Sequence, residues 1–464
     1  MAINNRASIP LVFRSVVDWS DPISWPSERQ DRYGWVITMT LFFFMMLNWA
    51  DKAVLGLAAV PIMEDLDISP EAFGLVSSAM FFTFILAQIL AAPLVDRIPT
   101  KWLLLVLCLI WSLAQLPIIF LASLPALWVG RLILGAGEGP SSPVILHGIY
   151  KWFPEEKRAA PGAVASVGAM VGLVVFAPVL SWAIVRFGWI SAFVVLALAG
   201  VVLCGIWLVI GKEGPIDRQR SPGGPAPAGA GKQVAAPELT LPLWRTILTP
   251  TWTLTLLTSF FAYWTFTVAL SWAPAYFQTV LHLPGEQAGG LIGLIAVWGC
   301  AAMLALSGLS QRLQKRGVVT RRSRARVLGC GAIVSGVALL GAIIVSETWI
   351  SVALMAVGFG TAPALFPLSL LITTELTLPS KRGTNLSLAN AAQTSAGIVA
   401  PAVSGFIIGG ASSGAAGYTM AFAVAAGLTL VAGILCVLFV DQQRDRRRLG
   451  LTDEADDPAG LAKI

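Results

Sequence analysis

Twelve long apolar runs dominate the chain and leave it few ways to fold. A bilayer-spanning helix needs about 20 apolar residues, which is the approximate length of each run. Within lipid a helix satisfies its own backbone hydrogen bonds, and the runs lack the alternation typical of barrel strands. We therefore expect an all-α membrane protein with twelve transmembrane helices. The runs cover roughly residues 33–60, 70–95, 101–121, 124–146, 159–185, 189–210, 250–280, 286–311, 326–345, 348–375, 383–408 and 416–440.

The composition supports this class and argues against others. Hydrophobic residues make up 56% of the chain and charged residues 12%, whereas a soluble domain has about 25% charged residues. The polar first 32 residues do not resemble a signal peptide. All five cysteines lie in apolar runs without a CxxC pair, so we expect neither disulfides nor a metal site. The sequence also has no GxxxxGK[ST] phosphate loop, which argues against ATP-driven transport.

The basic residues indicate how the chain lies in the membrane. If both termini are cytoplasmic, all but three of the 31 lysines and arginines fall in cytoplasmic segments or tails. The exceptions are Lys52, Arg131 and Arg186. By the positive-inside rule we expect both termini to be cytoplasmic. The basic cluster at 312–326 is then a topology signal, and the net charge of +6 does not predict nucleic-acid binding.

A polar segment with a core rich in Pro, Gly and Ala divides the runs into six before and six after. Such a core behaves as a flexible linker. The motif Gly-x-Gly-x-x-Pro occurs at 135–140 and again at 358–363, which indicates a parallel repeat of two bundles. We predict a cytoplasmic N-terminal tail (1–32), an N-terminal six-helix bundle (33–210), a cytoplasmic linker (211–249), a C-terminal six-helix bundle (250–440) and a cytoplasmic C-terminal tail (441–464).

Four charged residues lie inside apolar runs: Asp51, Lys52, Arg131 and Glu138. A charge at bilayer depth costs about 2.5–3.5 kcal/mol on insertion scales, so such residues mark pathways and binding sites. Arg131 and Glu138 are seven residues apart, which is nearly two helical turns, and therefore share one helix face. Gly135 lies between them and permits close approach of another helix or a ligand.

Two interpretations of these four charges remain open. They could form a static network, with Asp51 paired to Arg131 and Glu138 to Lys52, that holds two helices together. Alternatively the network switches, with cations that bind an anion and carboxylates that carry protons. Buried ion pairs stabilise poorly compared with apolar replacements, which favours the switching interpretation.

Other candidate residues flank these charges. Trp49 adds an aromatic wall beside Asp51 and Lys52. In the eleventh run, Asn390 and Gln393 form a polar patch that either binds a ligand or joins neighbouring helices. Between the second and third runs, Asp96, Arg97 and Lys101 are predicted to form a cytoplasmic gate, with a solvated turn as the alternative.

Three stretches resemble a known family. The loop with Leu94, Asp96, Arg97 and Lys101 is similar to the signature of the major facilitator superfamily, from which Ala92, Pro99 and Thr100 depart. The stretches 48–55 and 130–140, followed by 152–154 and Arg158, resemble the anion:cation symporter family. That family includes bacterial hexuronate, galactonate and phthalate transporters. The resemblance is strong in the N-terminal half and general in the C-terminal half.

The resemblance implies a role for each intramembrane charge. Lys52 and Arg131 would bind the substrate carboxylate, and Asp51 and Glu138 would carry protons. Family members often have arginine where this chain has Lys52, and sugar-acid members tend to have tyrosine at the position of Trp49. Lysine is a point charge without the bidentate fork of arginine. These departures suggest an aromatic or short-chain carboxylate in place of a sugar acid.

The sequence therefore predicts a transporter and not an enzyme. We expect proton-coupled uptake of a small organic anion by alternating access in a bacterial plasma membrane. The transporter is expected to be a lipid-embedded monomer that needs no cofactor beyond the proton gradient. One alternative is a proton-coupled exporter of aromatic acids or drugs, although the fifth run lacks the Gly-Pro-x-x-Gly-Gly motif of antiporters. A second alternative is a membrane sensor that has lost transport.

Overall fold

The computed structural model describes residues 26–95, 97–218, 242–317, 321–378 and 381–451, and no strand occurs among them. The first half contributes α1 (Ser27–Leu57), α2 (Pro70–Val95), α3 (Thr100–Leu121), α4 (Leu124–Glu138, continued by Ser141–Tyr150), α5 (Ala159–Phe187) and α6 (Ile190–Ile210). The second half contributes α7 (Pro250–Thr279), α8 (Gly285–Lys315), α9 (Arg326–Ile344), α10 (Thr348–Ala364, continued by Phe366–Glu375), α11 (Arg382–Thr394, continued by Ala396–Gly409) and α12 (Gly414–Phe439). Shorter helical segments are Ala59–Asp65, Glu155–Lys157, Pro215–Arg218, Leu243–Ile247, Arg321–Ala325 and Gln442–Arg448.

Helix α4 is interrupted near its middle, as α3, α10 and α11 also are. Within the described residues, eleven helices are long and apolar enough to cross a membrane, and α4 is not among them. Its first segment has only 15 residues and ends at Glu138. Gly139 and Pro140 separate it from the segment that begins at Ser141. Proline lacks a backbone N–H, so the helical hydrogen bonds cannot run unbroken through this point.

Helix pairing repeats between the two halves. In the first half α1 packs on α5, α2 on α4, and α3 on α6. In the second half α7 packs on α11, α8 on α10, and α9 on α12, which is the same pattern displaced by six helices. This arrangement is that of two parallel structural repeats, as in transporters of this architecture. The predicted all-α fold with two six-helix bundles is confirmed.

The two halves meet through α5 and α8, α2 and α11, and α1 and α7. The hydroxyl of Ser78 on α2 accepts a hydrogen bond from the Ala402 backbone on α11 at 3.1 Å. Arg186 at the end of α5 lies 3.7 Å from Glu286 at the start of α8. Because successive spans run in opposite directions, both contacts lie at the same end of the bundles. This end is opposite the one at which the chain passes from α6 to α7. The halves are therefore packed together at that end.

The outer surface of the helices is apolar. Leu90, Phe120 and Ile344 are 63%, 76% and 79% exposed, and many other large apolar side chains share this surface. A water-soluble monomer rarely exposes contiguous apolar area on this scale. Lipid is the solvent that such a surface fits, so the chain is a multi-pass membrane protein.

The short helix Gln442–Arg448 is tied to the end of the second bundle beyond α12. Asp441 accepts a hydrogen bond from the Arg444 backbone at 3.1 Å and forms an ion pair with Arg321 at 3.2 Å. The buried Asp445 accepts from the Thr251 backbone at 2.9 Å. Burial by itself would raise the pKa of Asp445, but hydrogen bonds from Arg444 and Thr251 outweigh it and hold the pKa below its usual value. The carboxylate form of Asp445 thus helps to hold this helix in place.

Candidate functional site

The four intramembrane charges meet where α1 and α4 pack in the first bundle. Asp51 and Arg131 are each 1% exposed, and Glu138 is completely buried. The Lys52 side chain is 5% exposed. Ionisable groups at such depth are expensive unless they pair or act in transport.

Lys52 and Glu138 form an ion pair between α1 and α4. The Lys52 Nζ donates to Glu138 Oε2 at 2.5 Å, and to the Asn48 Oδ1 and backbone oxygen at 2.7 and 3.1 Å. An ammonium group has three N–H donors, so these contacts occupy all of them. The Nζ also lies 5.3 Å from the ring centroid of Phe84 on α2. An anion that binds Lys52 must therefore displace Glu138 or Asn48.

Asp51 and Arg131 are adjacent, but the ion pair suggested by the sequence takes a different form. The Asp51 carboxylate accepts from Gln115 Nε2 at 2.9 Å. Arg131 Nη1 donates at 3.2 Å to the backbone carbonyl of Asp51 and not to its carboxylate. Gln115 lies at the turn within α3, between the helical segments that end at Leu113 and begin at Leu116. Sequence reasoning missed Gln115, although a lone amide inside an apolar run was a detectable signal.

Several buried polar atoms of this site have no hydrogen-bond partner among the described residues. They are Arg131 Nε and Nη2, Glu138 Oε1 and Asn48 Nδ2. The Arg131 guanidinium lies 5.7 Å from the ring centroid of Phe193 on α6, a cation–π distance. Leaving buried donors and acceptors unpaired costs free energy, so packing alone does not account for this arrangement. Arg131 retains N–H groups that an anion or water can bind, and Glu138 retains an oxygen that a proton can bind.

Glycine on α4 brings this helix close to α2. A Cβ on Gly135 would overlap the Met80 carbonyl oxygen, and one on Gly139 would overlap the Phe84 carbonyl oxygen. The two glycines are four residues apart and lie on one face, as in small-residue packing motifs of membrane helices. The predicted close approach at Gly135 is a helix–helix contact. The contact between α4 and α2 also places the Phe84 ring next to the Lys52 ammonium group.

The second bundle contributes an aromatic contact and a polar network. Trp49 of α1 lies 5.4 Å from Phe266 of α7, measured between ring centroids. In α11, Gln393 Nε2 donates to Asn390 Oδ1 at 3.0 Å, and Gln393 Oε1 accepts from Ser259 of α7 at 2.5 Å. Gln393 is thus buried in interhelical hydrogen bonds, one of the two roles predicted for this patch. Asn390 is half-buried.

The predicted cytoplasmic gate is described only in part. Asp96 lies outside the described residues, and Arg97 is exposed. The Lys101 backbone N–H donates to Glu213 Oε1 at 2.7 Å, and its Nζ donates to the Leu208 carbonyl at 3.2 Å. Both partners lie in or just after α6, in the same half of the chain. In this conformation Lys101 therefore ties α3 to α6 and does not join the two bundles.

Comparison with known proteins agrees with this architecture. The family model described as Major Facilitator Superfamily matches residues 41–321 and 317–463. A bacterial homologue of the human lysosomal transporter Spinster has the same fold, with a TM-score of 0.74 and 17% identity over 89% of this chain and 98% of that chain. A D-xylose-proton symporter superposes with a TM-score of 0.70 and 17% identity over 89% of this chain and 99% of that chain.

Relatives of known name include transporters of organic anions. A probable galactarate/D-glucarate transporter of Bacillus subtilis, GudP, is 26% identical over 90% of this chain and 96% of its own length. The hexuronate transporter of the same organism is 26% identical over 87% of this chain and 94% of its own. They confirm the resemblance to the anion:cation symporter family, and these bacterial proteins support the predicted place in a bacterial plasma membrane. The chain belongs to the Major Facilitator Superfamily and is a membrane transporter, not an enzyme.

Proposed function

We propose that this transporter takes up a small organic anion together with protons by alternating access between its two bundles. The observation that carries the proposal is the Lys52–Glu138 pair, which joins a cation and a carboxylate at 2.5 Å inside the membrane. A proton on Glu138 removes the charge that holds Lys52. The ammonium group is then available to the carboxylate of a substrate.

Arg131 and Asp51 provide a second cation and a second carboxylate next to the first pair. Two nitrogens of Arg131, Nε and Nη2, have no hydrogen-bond partner among the described residues, and a guanidinium binds carboxylates through its planar fork of donors. Asp51 is adjacent to Lys52 and is held by the neutral Gln115. We assign Asp51 and Glu138 to proton coupling, and Lys52 and Arg131 to the substrate anion.

The transport cycle follows from these contacts. Protons and the anion bind from outside, and neutralisation of the acids permits the loaded carrier to change conformation. On the cytoplasmic side the anion leaves, the protons follow, and Glu138 pairs again with Lys52. The names of the relatives, which include transporters of sugar acids, support an anionic substrate.

Uptake into proteoliposomes tests the proposal. The purified chain is reconstituted, and uptake of radiolabelled organic acids is compared with and without an inward proton gradient. We expect gradient-stimulated uptake of at least one acid, which Arg131→Ala abolishes. Glu138→Gln is expected to lose the response to the gradient while it retains exchange of substrate across the membrane.

The control is Glu64→Gln, at an exposed position outside the charge cluster. It is expected to behave like the unaltered protein. A Glu138→Gln variant that responds fully to the gradient would refute proton coupling through Glu138. Uptake by the unaltered protein that ignores the gradient would indicate facilitated diffusion or exchange, and the buried pair would then be a static contact.

A further inference from the structure

Six aromatic side chains form one continuous cluster where the two bundles meet. Ring centroids of neighbouring members are 5.2–6.5 Å apart, within the range of favourable aromatic pairs. We call this set the aromatic cluster. It consists of Trp49 of α1, Phe81 and Phe84 of α2, Tyr263 and Phe266 of α7, and Phe366 of α10.

The aromatic cluster links the two halves of the transporter directly. The Trp49 and Phe266 rings pair across the halves at 5.4 Å, and the Phe81 and Tyr263 rings do so at 6.1 Å. Rocking of the bundles must change these distances, because each pair has one member on each side. A flat ligand among these rings would therefore contact both halves at once.

The aromatic cluster is partly accessible and borders a cation. Trp49 and Phe366 are half-buried, while the other four rings are buried. Lys52 follows Trp49 by three residues, so their side chains are neighbours on α1. The Lys52 Nζ lies 5.3 Å from the centroid of the Phe84 ring. The rings and a positive charge are thus neighbours.

Three polar side chains next to the aromatic cluster, Ser259, Ser369 and Gln393, are already bonded to each other. Ser259 lies one turn before Tyr263, and Ser369 lies one turn after Phe366. The Ser369 hydroxyl donates to that of Ser259 at 2.9 Å, and Ser259 donates to Gln393 Oε1 at 2.5 Å. A sugar acid brings several hydroxyl groups, and burying a hydroxyl without a partner is unfavourable. This surface suits a ligand with a planar, apolar body.

We propose that the substrate is an aromatic monocarboxylate. Its carboxylate binds Lys52 in place of Glu138, and its ring lies against Trp49 and Phe366. The proposal rests on the proposed transport of an organic anion and adds the chemical class of that anion. It also predicts a specificity that differs from the sugar-acid transport named for the relatives.

A competition experiment in proteoliposomes tests the substrate class. Uptake of radiolabelled 4-hydroxybenzoate is measured after subtraction of protein-free liposomes, against unlabelled phenylacetate, cyclohexanecarboxylate, butyrate and glucuronate. We expect phenylacetate to compete well, cyclohexanecarboxylate less well, and butyrate and glucuronate weakly. The full-length chain is used throughout.

Variants of one ring connect this specificity to the aromatic cluster. Phe366→Leu is expected to raise the KM for 4-hydroxybenzoate about tenfold, since a favourable ring pair is worth up to about that factor. Phe366→Tyr keeps the ring and should restore uptake, which excludes simple misfolding of the leucine variant. Phe82→Leu is the matched control, because Phe82 is 56% exposed and lies outside the aromatic cluster.

The outcomes separate this proposal from the general function. Gradient-stimulated uptake of glucuronate or butyrate without uptake of the aromatic acids leaves symport intact and overturns the aromatic class. Equal competition by cyclohexanecarboxylate, with no effect of Phe366→Leu, also overturns it. If no acid of any class is taken up, the proposed function and this proposal fall together.

Discussion

The side-chain amide of Gln115 donates to the Asp51 carboxylate at 2.9 Å, so a neutral partner holds the buried acid next to Lys52. Arg131, the nearby cation, binds the backbone of Asp51 instead. The two carboxylates of the site therefore differ. Glu138 has a positive partner, and Asp51 has an uncharged one.

Replacement of Gln115 tests whether this amide supports the site. Gln115→Leu leaves the Asp51 carboxylate without its donor, and an unsatisfied buried acceptor costs about 1–3 kcal/mol. We expect a lower free energy of unfolding in detergent and slower anion uptake. Gln287→Leu, at an exposed position near the start of α8, is the control. A Gln115→Leu protein with unchanged stability and uptake would show that the contact is dispensable.

The packing of α4 on α2 gives a second prediction. Gly135→Ala places a Cβ against the Met80 carbonyl, and overpacking typically costs about 1–3 kcal/mol. Thermal unfolding in detergent should show this loss. Gly427→Ala is the matched control, because no atom lies within 4 Å of a Cβ built there. Equal unfolding temperatures for both variants would contradict the close helix contact.

The contact between Arg186 and Glu286 gives a third prediction. Their ion pair is exposed, and such pairs contribute about 0–1 kcal/mol, so Arg186→Ala should leave stability almost unchanged. A second variant carries Arg186→Cys and Glu286→Cys, with the native cysteines replaced. Cross-linking these two positions with a short bis-maleimide should instead stop uptake. The reason is that alternating access requires the two halves to separate at this end. The uncoupled double variant is the control, and full activity after complete cross-linking would argue against that separation.

Asp445 gives a pH-dependent prediction outside the membrane spans. Its folded pKa lies below that of the unfolded chain, so its stabilisation is complete above the ordinary Asp pKa of about 3.9 and is lost as the pH falls through the folded value. Asp445→Asn weakens the bonds to Thr251 and Arg444, and we expect a loss of about 1–3 kcal/mol at neutral pH. Unfolding curves of the variant and the unaltered protein should converge below about pH 3.9. A constant difference at every pH would contradict this role of the charge.

The sequence by itself determined the fold class and the identity of the buried charges. Transfer of a segment into lipid depends on its own length and composition, so twelve apolar runs predict twelve helices without any knowledge of their packing. The same local energetics made Asp51, Lys52, Arg131 and Glu138 stand out.

Only the tertiary structure decided which atoms of these residues pair. A sequence gives the face of a helix on which a residue lies, but not the rotation and distance of the helix that it meets. In this protein the rotation and distance of the helices depend on two features. One is the contact of Gly135 and Gly139 with α2, and the other is the turn of α3 at Gln115. They direct Lys52 to Glu138, Asp51 to Gln115, and Arg131 to a backbone carbonyl. The aromatic cluster arises in the same way, because its rings come from four helices that only the packing of the two halves brings together.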